Sequence, residues 1–184
     1  MFYFFLFISL HSLIYALITY FSSQIGLIFN SLYVPIEFIF ISTFYYNARN
    51  TRLYKQFIKY VSITFLLIFS LKIFLDPILD FDSLINGIES IIIIAFSISF
   101  FYEHIKYPNS TFIDKDPYFW GVSAFFLFFS ISFFVFLLRQ SYWHNNNFFY
   151  QYVYIHALSG ILRNIICSIA FIIKPYKEQV PEFS

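Results

Sequence analysis

The chain alternates between long apolar stretches and short polar connections. Six apolar stretches come close to the length of about 20 residues that a helix needs to cross a bilayer, and they occupy residues 2–20, 27–45, 57–74, 84–102, 118–138 and 149–173. The connections between them are too short to form a core of their own. The pattern therefore predicts an all-α fold, in which residues 1–184 form a single polytopic transmembrane bundle of six helices.

The third stretch fits a membrane span least well. Lys59 and Lys72 lie near its two ends, and both would have to extend their side chains to the lipid headgroups. A tilted or re-entrant segment is the alternative at this position.

The composition agrees with a membrane protein. Hydrophobic residues make up 60% of the chain and charged residues 11%, whereas a soluble domain carries roughly 25% charged residues. The aromatic share of 26% suits lipid-facing or loosely packed helices, although an AT-rich genome would favour the same residue types. The net charge of +1 gives no reason to expect a nucleic-acid partner, so membrane lipid is the expected surrounding.

The basic residues predict the orientation in the cytoplasmic (inner) membrane. With both termini in the cytoplasm, eight of the eleven lysines and arginines fall on the cytoplasmic side, as the positive-inside tendency requires. Four of these cations follow the second stretch and form a cytoplasmic basic cluster: Arg49, Arg52, Lys55 and Lys59. The cluster either touches anionic headgroups or docks a partner protein.

Tyrosine and tryptophan residues near the ends of the stretches predict an interfacial aromatic belt. These residues are Tyr45, Tyr46, Tyr60, Tyr102, Tyr118, Trp120, Tyr142, Trp143 and Tyr150. Their positions agree with the spans deduced from hydrophobicity.

Ionisable residues inside the apolar stretches are the candidates for function, because charges in a bilayer are costly and tend to face the interior of a bundle. Glu37 lies near the middle of the second stretch, two residues after Pro35. In the sixth stretch a polar and small stripe recurs at helical spacing and is expected to face protein. Its members are His156, Ser159, Gly160, Arg163, Asn164 and Cys167.

Glu37 and Arg163 are predicted to form an ion pair, because each lies near the centre of its stretch and the two stretches run in the same direction. The pair either serves function or only fixes helix register. His11, Glu89 and His156 would extend it into a polar chamber that opens outward, in which histidine permits proton sensing; hydrogen-bonded packing is the alternative. No spacing links these three residues as metal ligands, so neither a metal site nor a cofactor is predicted.

No catalytic signature is present, and the chain is not expected to be an enzyme. Residues 139–144 have the spacing of Arg and His seen in a class of helical ribonucleases, but they would lie at the external interface without a facing active-site helix. Phosphate-binding loops and activated nucleophiles are not found.

Three segments resemble recurring positions of a family of small, uncharacterised polytopic proteins of Gram-negative bacteria. They are residues 33–38 (Tyr-Val-Pro-Ile-Glu-Phe), residues 116–120 (Asp-Pro-Tyr-Phe-Trp) with 128–130, and residues 156–159 (His-Ala-Leu-Ser) with 164–166. The resemblance covers roughly residues 27–174. Some members are similar to accessory proteins encoded beside sensor histidine kinases. The resemblance implies that Glu37, the Phe119–Trp120 pair and His156 belong to a shared site.

Three classes of function remain. The leading interpretation is a sensory or accessory subunit that acts with a partner protein, either a sensor kinase or another membrane subunit. The alternatives are a transporter or channel subunit with a buried Glu/Arg/His core, in which a homo-oligomer is possible, and a structural assembly subunit.

The orientation is testable with reporter fusions. We expect a cytoplasmically active reporter to function at the C-terminus and in the connection around residue 50, and an externally active reporter to function around residue 79. An external C-terminus would refute the N-in/C-in topology.

Overall fold

The computed structural model describes five continuous parts of the chain and isolated helical positions before them. The backbone is described at residues 23–49, 51–75, 83–106, 115–142 and 146–173 and at positions 10, 14, 17, 18 and 20. Side chains are described at those five positions and at 32–49, 51–75, 84–106, 115–137, 151 and 154–173.

Five helices make up the continuous parts, and no strand occurs in them. They are α1 (Ser23–Ala48), α2 (Arg52–Leu75), α3 (Ser83–Lys106), α4 (Pro117–Tyr142) and α5 (Asn146–Ile172). In α2 to α5, four long apolar segments have the length and composition to cross a membrane. The predicted all-α class is thereby confirmed for the described residues, and the four segments are consistent with a membrane protein. The predicted first span, residues 2–20, lies almost wholly outside the described residues.

Helices α2 and α4 begin in polar sequence, before their apolar stretches. Asp116 caps α4, since its Oδ1 accepts a hydrogen bond from the Tyr118 amide at 2.9 Å and Pro117 occupies the first helical position. At the start of α2, the Lys55 amide donates to the Thr51 carbonyl at 3.2 Å. Because α2 is one unbroken helix over its 24 residues, the third apolar stretch lacks the break of a re-entrant segment.

Helix α1 runs parallel to α3 and antiparallel to α2. The Tyr45 hydroxyl of α1 lies 2.6 Å from the Ser97 Oγ of α3. The C-terminal end of α1 meets the C-terminal end of α3. On its other side, the Phe38 ring packs 4.2 Å from Phe65 near the middle of α2. Helix α1 therefore lies between α2 and α3.

Helix α4 joins α3 to α5 and is antiparallel to both. Phe101 near the end of α3 contacts Phe119 near the start of α4, with ring centroids 5.9 Å apart. Further along α4, the Phe128 ring lies 5.4 Å from the imidazole of His156 in α5. Helix α4 also reaches α1, because Phe125 packs edge-on against Phe44 at 5.5 Å.

Serine and threonine side chains inside the helices bond mainly to their own helix. Thr64, Ser90 and Ser97 each donate to the carbonyl four residues earlier, at 2.7–3.0 Å. Hydroxyl groups satisfied in this way need no partner from water, which a hydrocarbon environment does not offer.

Arg49, directly after α1, ties three helices together at the end of the bundle where α1 and α3 end and α2 begins; we call this the basic end. Its side chain is 1% exposed. Nη1 donates to the Ser99 carbonyl and to Glu103 Oε2, both at 2.8 Å, and Nη2 donates to the Phe96 carbonyl at 2.8 Å and to Ser99 Oγ. The guanidinium also lies 4.9 Å from the centre of the Tyr54 ring of α2.

Glu103 completes this arrangement at the start of α2. Its Oε1 accepts a hydrogen bond from the Thr51 amide at 3.2 Å, where a carboxylate also interacts favourably with the helix dipole. Burial lowers the pKa of the Arg49 guanidinium, and the bond to Glu103 opposes that shift. The group remains a cation at neutral pH.

Two predicted assignments at the basic end are wrong. Arg49 does not belong to the basic cluster that faces the headgroups, because its hydrogen bonds hold it inside the bundle; Arg52 and Lys59 are exposed and Lys55 is half-buried. Tyr45 is not part of an interfacial belt, because its ring is fully buried beside Ser97. The side chains of Tyr142, Trp143 and Tyr150 lie outside the described residues.

The substitution Arg49→Lys should lower the free energy of unfolding by about 2–4 kcal/mol, because one ammonium group cannot reach the Phe96 carbonyl, Ser99 and Glu103 together. Arg52→Lys is the matched control and should change it by no more than about 0.5 kcal/mol, since Arg52 is exposed. Reversible unfolding in mixed detergent micelles measures both. Equal effects of the two substitutions would contradict the role assigned to Arg49.

Candidate functional site

Three ionisable side chains from three helices are buried in the interior of the bundle. Glu37 of α1 is 7% exposed, Glu89 of α3 is 3% exposed and Arg163 of α5 is 6% exposed. We call these three residues the polar core. Because charge burial in an apolar environment is costly unless the charges are paired, their arrangement determines what this part of the molecule can do.

Glu37 and Arg163 are in contact, as the sequence predicts. Arg163 Nη1 lies 3.3 Å from Glu37 Oε1, and Tyr33, one helical turn before Glu37, bonds to the same carboxylate. The Arg163 guanidinium also lies 4.2 Å from the centre of the Phe128 ring of α4. Three helices therefore supply partners for one ion pair.

The ion pair spans a gap between α1 and α5. Among the described residues, the backbones of α3 and α4 and of α4 and α5 approach each other extensively, whereas those of α1 and α5 do not. Two long charged side chains thus bridge helices that are otherwise separated by bulky side chains such as Phe128. Scarcity of glycine, with four in the chain, is consistent with such separation.

Glu89 is the second buried carboxyl group of the polar core, and no described cation is paired with it. Its Oε1 is enclosed and makes no hydrogen bond in the described part of the chain. The charged group that acts on it is Glu37, whose carboxylate is close enough to repel it. One arginine and two carboxyl groups therefore share this interior.

His156 lies beside the polar core on the side of α4. Its Nδ1 is 3.4 Å from Ser132 Oγ, and its ring packs against Phe128 and Phe136 at 5.4 and 6.0 Å. Arg163 is near enough to repel a protonated imidazole. His156 thus has the surroundings of a hydrogen-bonded packing histidine, which the sequence left as the alternative to proton sensing. Proton sensing by His156 stays a prediction.

The predicted stripe on α5 faces the interior of the bundle only in part. Ser159, Arg163 and Cys167 are buried, but Asn164 is exposed although it lies midway along an apolar helix. The prediction that Asn164 faces the interior is wrong, because a residue that directly follows buried Arg163 is rotated by about 100° around the helix. Its Oδ1 still accepts a bond from Arg163 Nε at 3.4 Å.

The Phe119–Trp120 pair does not join Glu37 and His156 in one site. Phe119 packs against Phe101 near the basic end, whereas Phe128, nine residues further along α4, contacts both Arg163 and His156. Nine residues of helix separate the two levels by roughly 14 Å. The shared site implied by the resemblance therefore excludes these two aromatic residues.

Other predicted features lie outside the described residues or receive no support. His11 of the predicted outward chamber and the side chains of residues 139–144, which carry the ribonuclease-like spacing, lie outside them. In the described ranges, no group of three or more His, Cys, Asp or Glu side chains is placed to hold a metal ion.

Two important residues were missed by the sequence argument, although each carried a signal. Tyr33 precedes Glu37 by four residues and therefore shares its helix face. Glu103 is an acid at the inner end of a predicted span, on the side that holds the basic cluster, so charge complementarity alone indicated a partner among those cations.

Chemically, the polar core can hold one stable ion pair and one additional carboxyl group whose charge is not compensated. It lacks an activated nucleophile among the described side chains, and its neighbours are mostly aromatic. Comparisons with protein-family models, curated proteins and solved structures returned no match to this chain.

The substitution Glu37→Met should reduce the free energy of unfolding by about 3–5 kcal/mol, because it leaves the Arg163 guanidinium buried without its carboxylate. The double variant Glu37→Met with Arg163→Met should recover most of this loss, since apolar side chains replace a buried pair at little cost. Unfolding in mixed micelles tests both. If the single and double variants were equally unstable, the pair would not be the source of the loss.

Proposed function

We propose that this chain is a six-span protein of the cytoplasmic membrane, with both termini in the cytoplasm, that acts as a sensory or accessory subunit bound to a partner protein. The proposal rests on Asn164. A primary amide that faces outward midway along an apolar helix is costly in lipid, and in membrane proteins such groups bond across to another helix. A partner helix at Asn164 would supply that bond.

The face of α5 around Asn164 also suits close helix contact. Ala157, Asn164 and Ser168 are small or polar, are exposed, and recur at the spacing of one helix face together with Ile161. Small residues let two helix backbones approach each other within a membrane. The Ser168 hydroxyl already donates to the Asn164 backbone carbonyl at 2.8 Å. The side-chain amide of Asn164 is therefore the group on this face that a partner helix would bind.

Asn164 is also joined to the polar core. Because its Oδ1 accepts a bond from Arg163 Nε at 3.4 Å, and Arg163 in turn binds Glu37, a partner that engages Asn164 would contact the chain of bonds that reaches α1. This continuity supports a sensory role, in which the state of the core and the presence of the partner influence each other.

The exposed cations support the proposed orientation. Arg52, Lys59, Lys106 and Lys115 are all exposed and belong to the ends of α2, α3 and α4 that meet at the basic end. Placing that end in the cytoplasm satisfies the positive-inside tendency and puts the end of α5 on the same side.

A photo-cross-linking residue at position 164 tests the proposal in native membranes. We expect a cross-link to a different protein, whose mass and identity follow from mass spectrometry of the tagged product. Position 158 is the matched control, because Leu158 is 68% exposed on another face of α5, and it should yield only lipid adducts.

Two outcomes would contradict the accessory role. A cross-link between two copies of the chain would favour the alternative of a self-associated transporter or channel subunit. A cross-link from position 164 to residues 2–20 of the same chain would show that the chain itself covers Asn164.

A further inference from the structure

The charges of the polar core do not balance. Arg163 supplies one positive charge, and its 3.3 Å contact with Glu37 leaves Glu89 as an additional carboxyl group in the same interior. Glu89 is 97% enclosed, as its 3% exposure shows, and its Oε1 has no hydrogen-bond partner among the described residues. A carboxylate in this position would be an uncompensated buried anion, which costs several kcal/mol in an apolar interior.

Helix register places Glu89 opposite Glu37. Tyr45 of α1 contacts Ser97 of α3 at 2.6 Å, and these helices are parallel. Glu37 and Glu89 each lie eight residues before these contact residues, so both carboxyl groups lie at one level, about 12 Å from the Tyr45 hydroxyl contact. Two carboxylates that share one apolar interior cannot both ionise without strong repulsion.

Among the described side chains, no second cation lies beside Glu89 that would neutralise it. Helix α1 presents Tyr33 and Glu37, and α5 presents Arg163, already bound to Glu37, with His156 beyond it. At this level α4 contributes residues 131–137, none of which titrates. On α2, Phe65 lies near this level because it packs against Phe38. The nearest lysines of α2, Lys59 and Lys72, lie roughly 10 Å from Phe65 along the helix, one on either side.

We propose that Glu89 is a binding site for one exchangeable proton within the membrane. The proton, taken from water, bonds to a carboxylate oxygen of Glu89, removes the repulsion with Glu37 and leaves the polar core electrically neutral. Release of the proton places a net negative charge beside the ion pair.

A proton fits this site better than a metal cation. Oxygen-liganded cations such as calcium and magnesium take about six oxygen ligands, whereas Glu89 Oε1 has no polar neighbour within hydrogen-bonding distance in the described part of the chain. The proposal concerns the interior of one chain and does not depend on the partner protein proposed above.

Infrared difference spectroscopy of the full chain in lipid nanodiscs tests the proposal directly. At neutral pH we expect the carbonyl stretch of a protonated carboxyl group, sensitive to exchange into heavy water, and we expect the band to be lost as the pH rises. Glu89→Gln should abolish the band. Glu103→Gln should leave it unchanged, because Glu103 binds Arg49 at the basic end.

A second variant keeps the test informative if the first one folds poorly. In Glu37→Gln the repulsion between the two carboxylates is absent, so the protonated band of Glu89 should be lost at a lower pH than in the parent chain. Thermal stability gives an independent measurement, because the unfolding temperature of the parent should fall toward alkaline pH, whereas that of Glu89→Gln should fall less.

Three results would overturn the proposal. One is a protonated band that survives in Glu89→Gln, and another is a band that persists at every pH at which the chain stays folded, which would mean a permanently neutral acid. The third is the absence of a protonated band in the parent together with stabilisation by sodium ions that is lost in Glu89→Gln, which would assign the site to a metal cation.

Discussion

A guanidinium group cannot be buried in an apolar bundle without several partners, and this constraint determines which helices of the protein lie together. Two arginines are buried in the described part of the bundle, Arg49 and Arg163. Arg49 requires carbonyl and carboxylate groups from α3 and an aromatic ring from α2, while Arg163 requires a carboxylate from α1 and a ring from α4. Each of the five helices thus takes part in satisfying one of two cations, and apolar packing fills the space between them.

The ion pair of the polar core differs in character from the bonds around Arg49. Arg49 forms four hydrogen bonds with backbone and side-chain oxygens and is fully enclosed, which is the behaviour of a structural tie. Arg163 reaches a single carboxylate oxygen at 3.3 Å, and a second carboxyl group lies in the same interior. The first arrangement surrounds one cation with several oxygens, whereas the second leaves one buried carboxyl group without a cation among the described residues.

Much of the architecture was predictable because length and hydrophobicity are strong physical constraints in a bilayer. The five described helices contain the second to sixth predicted stretches nearly completely, and the depth of Glu37 and Arg163 in their stretches was sufficient to pair them. Rotation about the helix axis was harder to predict: Asn164 and Arg163 differ by one residue, and the stripe pattern did not separate the buried one from the exposed one. Arg49 was assigned to the surface because positive charge after a span usually faces headgroups, and only the three-dimensional meeting of α1 with Glu103 shows otherwise.

The common register of α1 and α3 limits how the bundle can move. Bonds at two levels, Tyr45 with Ser97 and Arg49 with Glu103, prevent either helix from sliding along the other, because a shift of one turn would break both at once. Helix α5 has no comparable bonds to α1, and the polar contact that joins them in the described residues is the single pair at Arg163. Helices α1 and α3 are therefore fixed to each other at two levels, whereas α5 is held to the rest of the bundle mainly through its packing against α4.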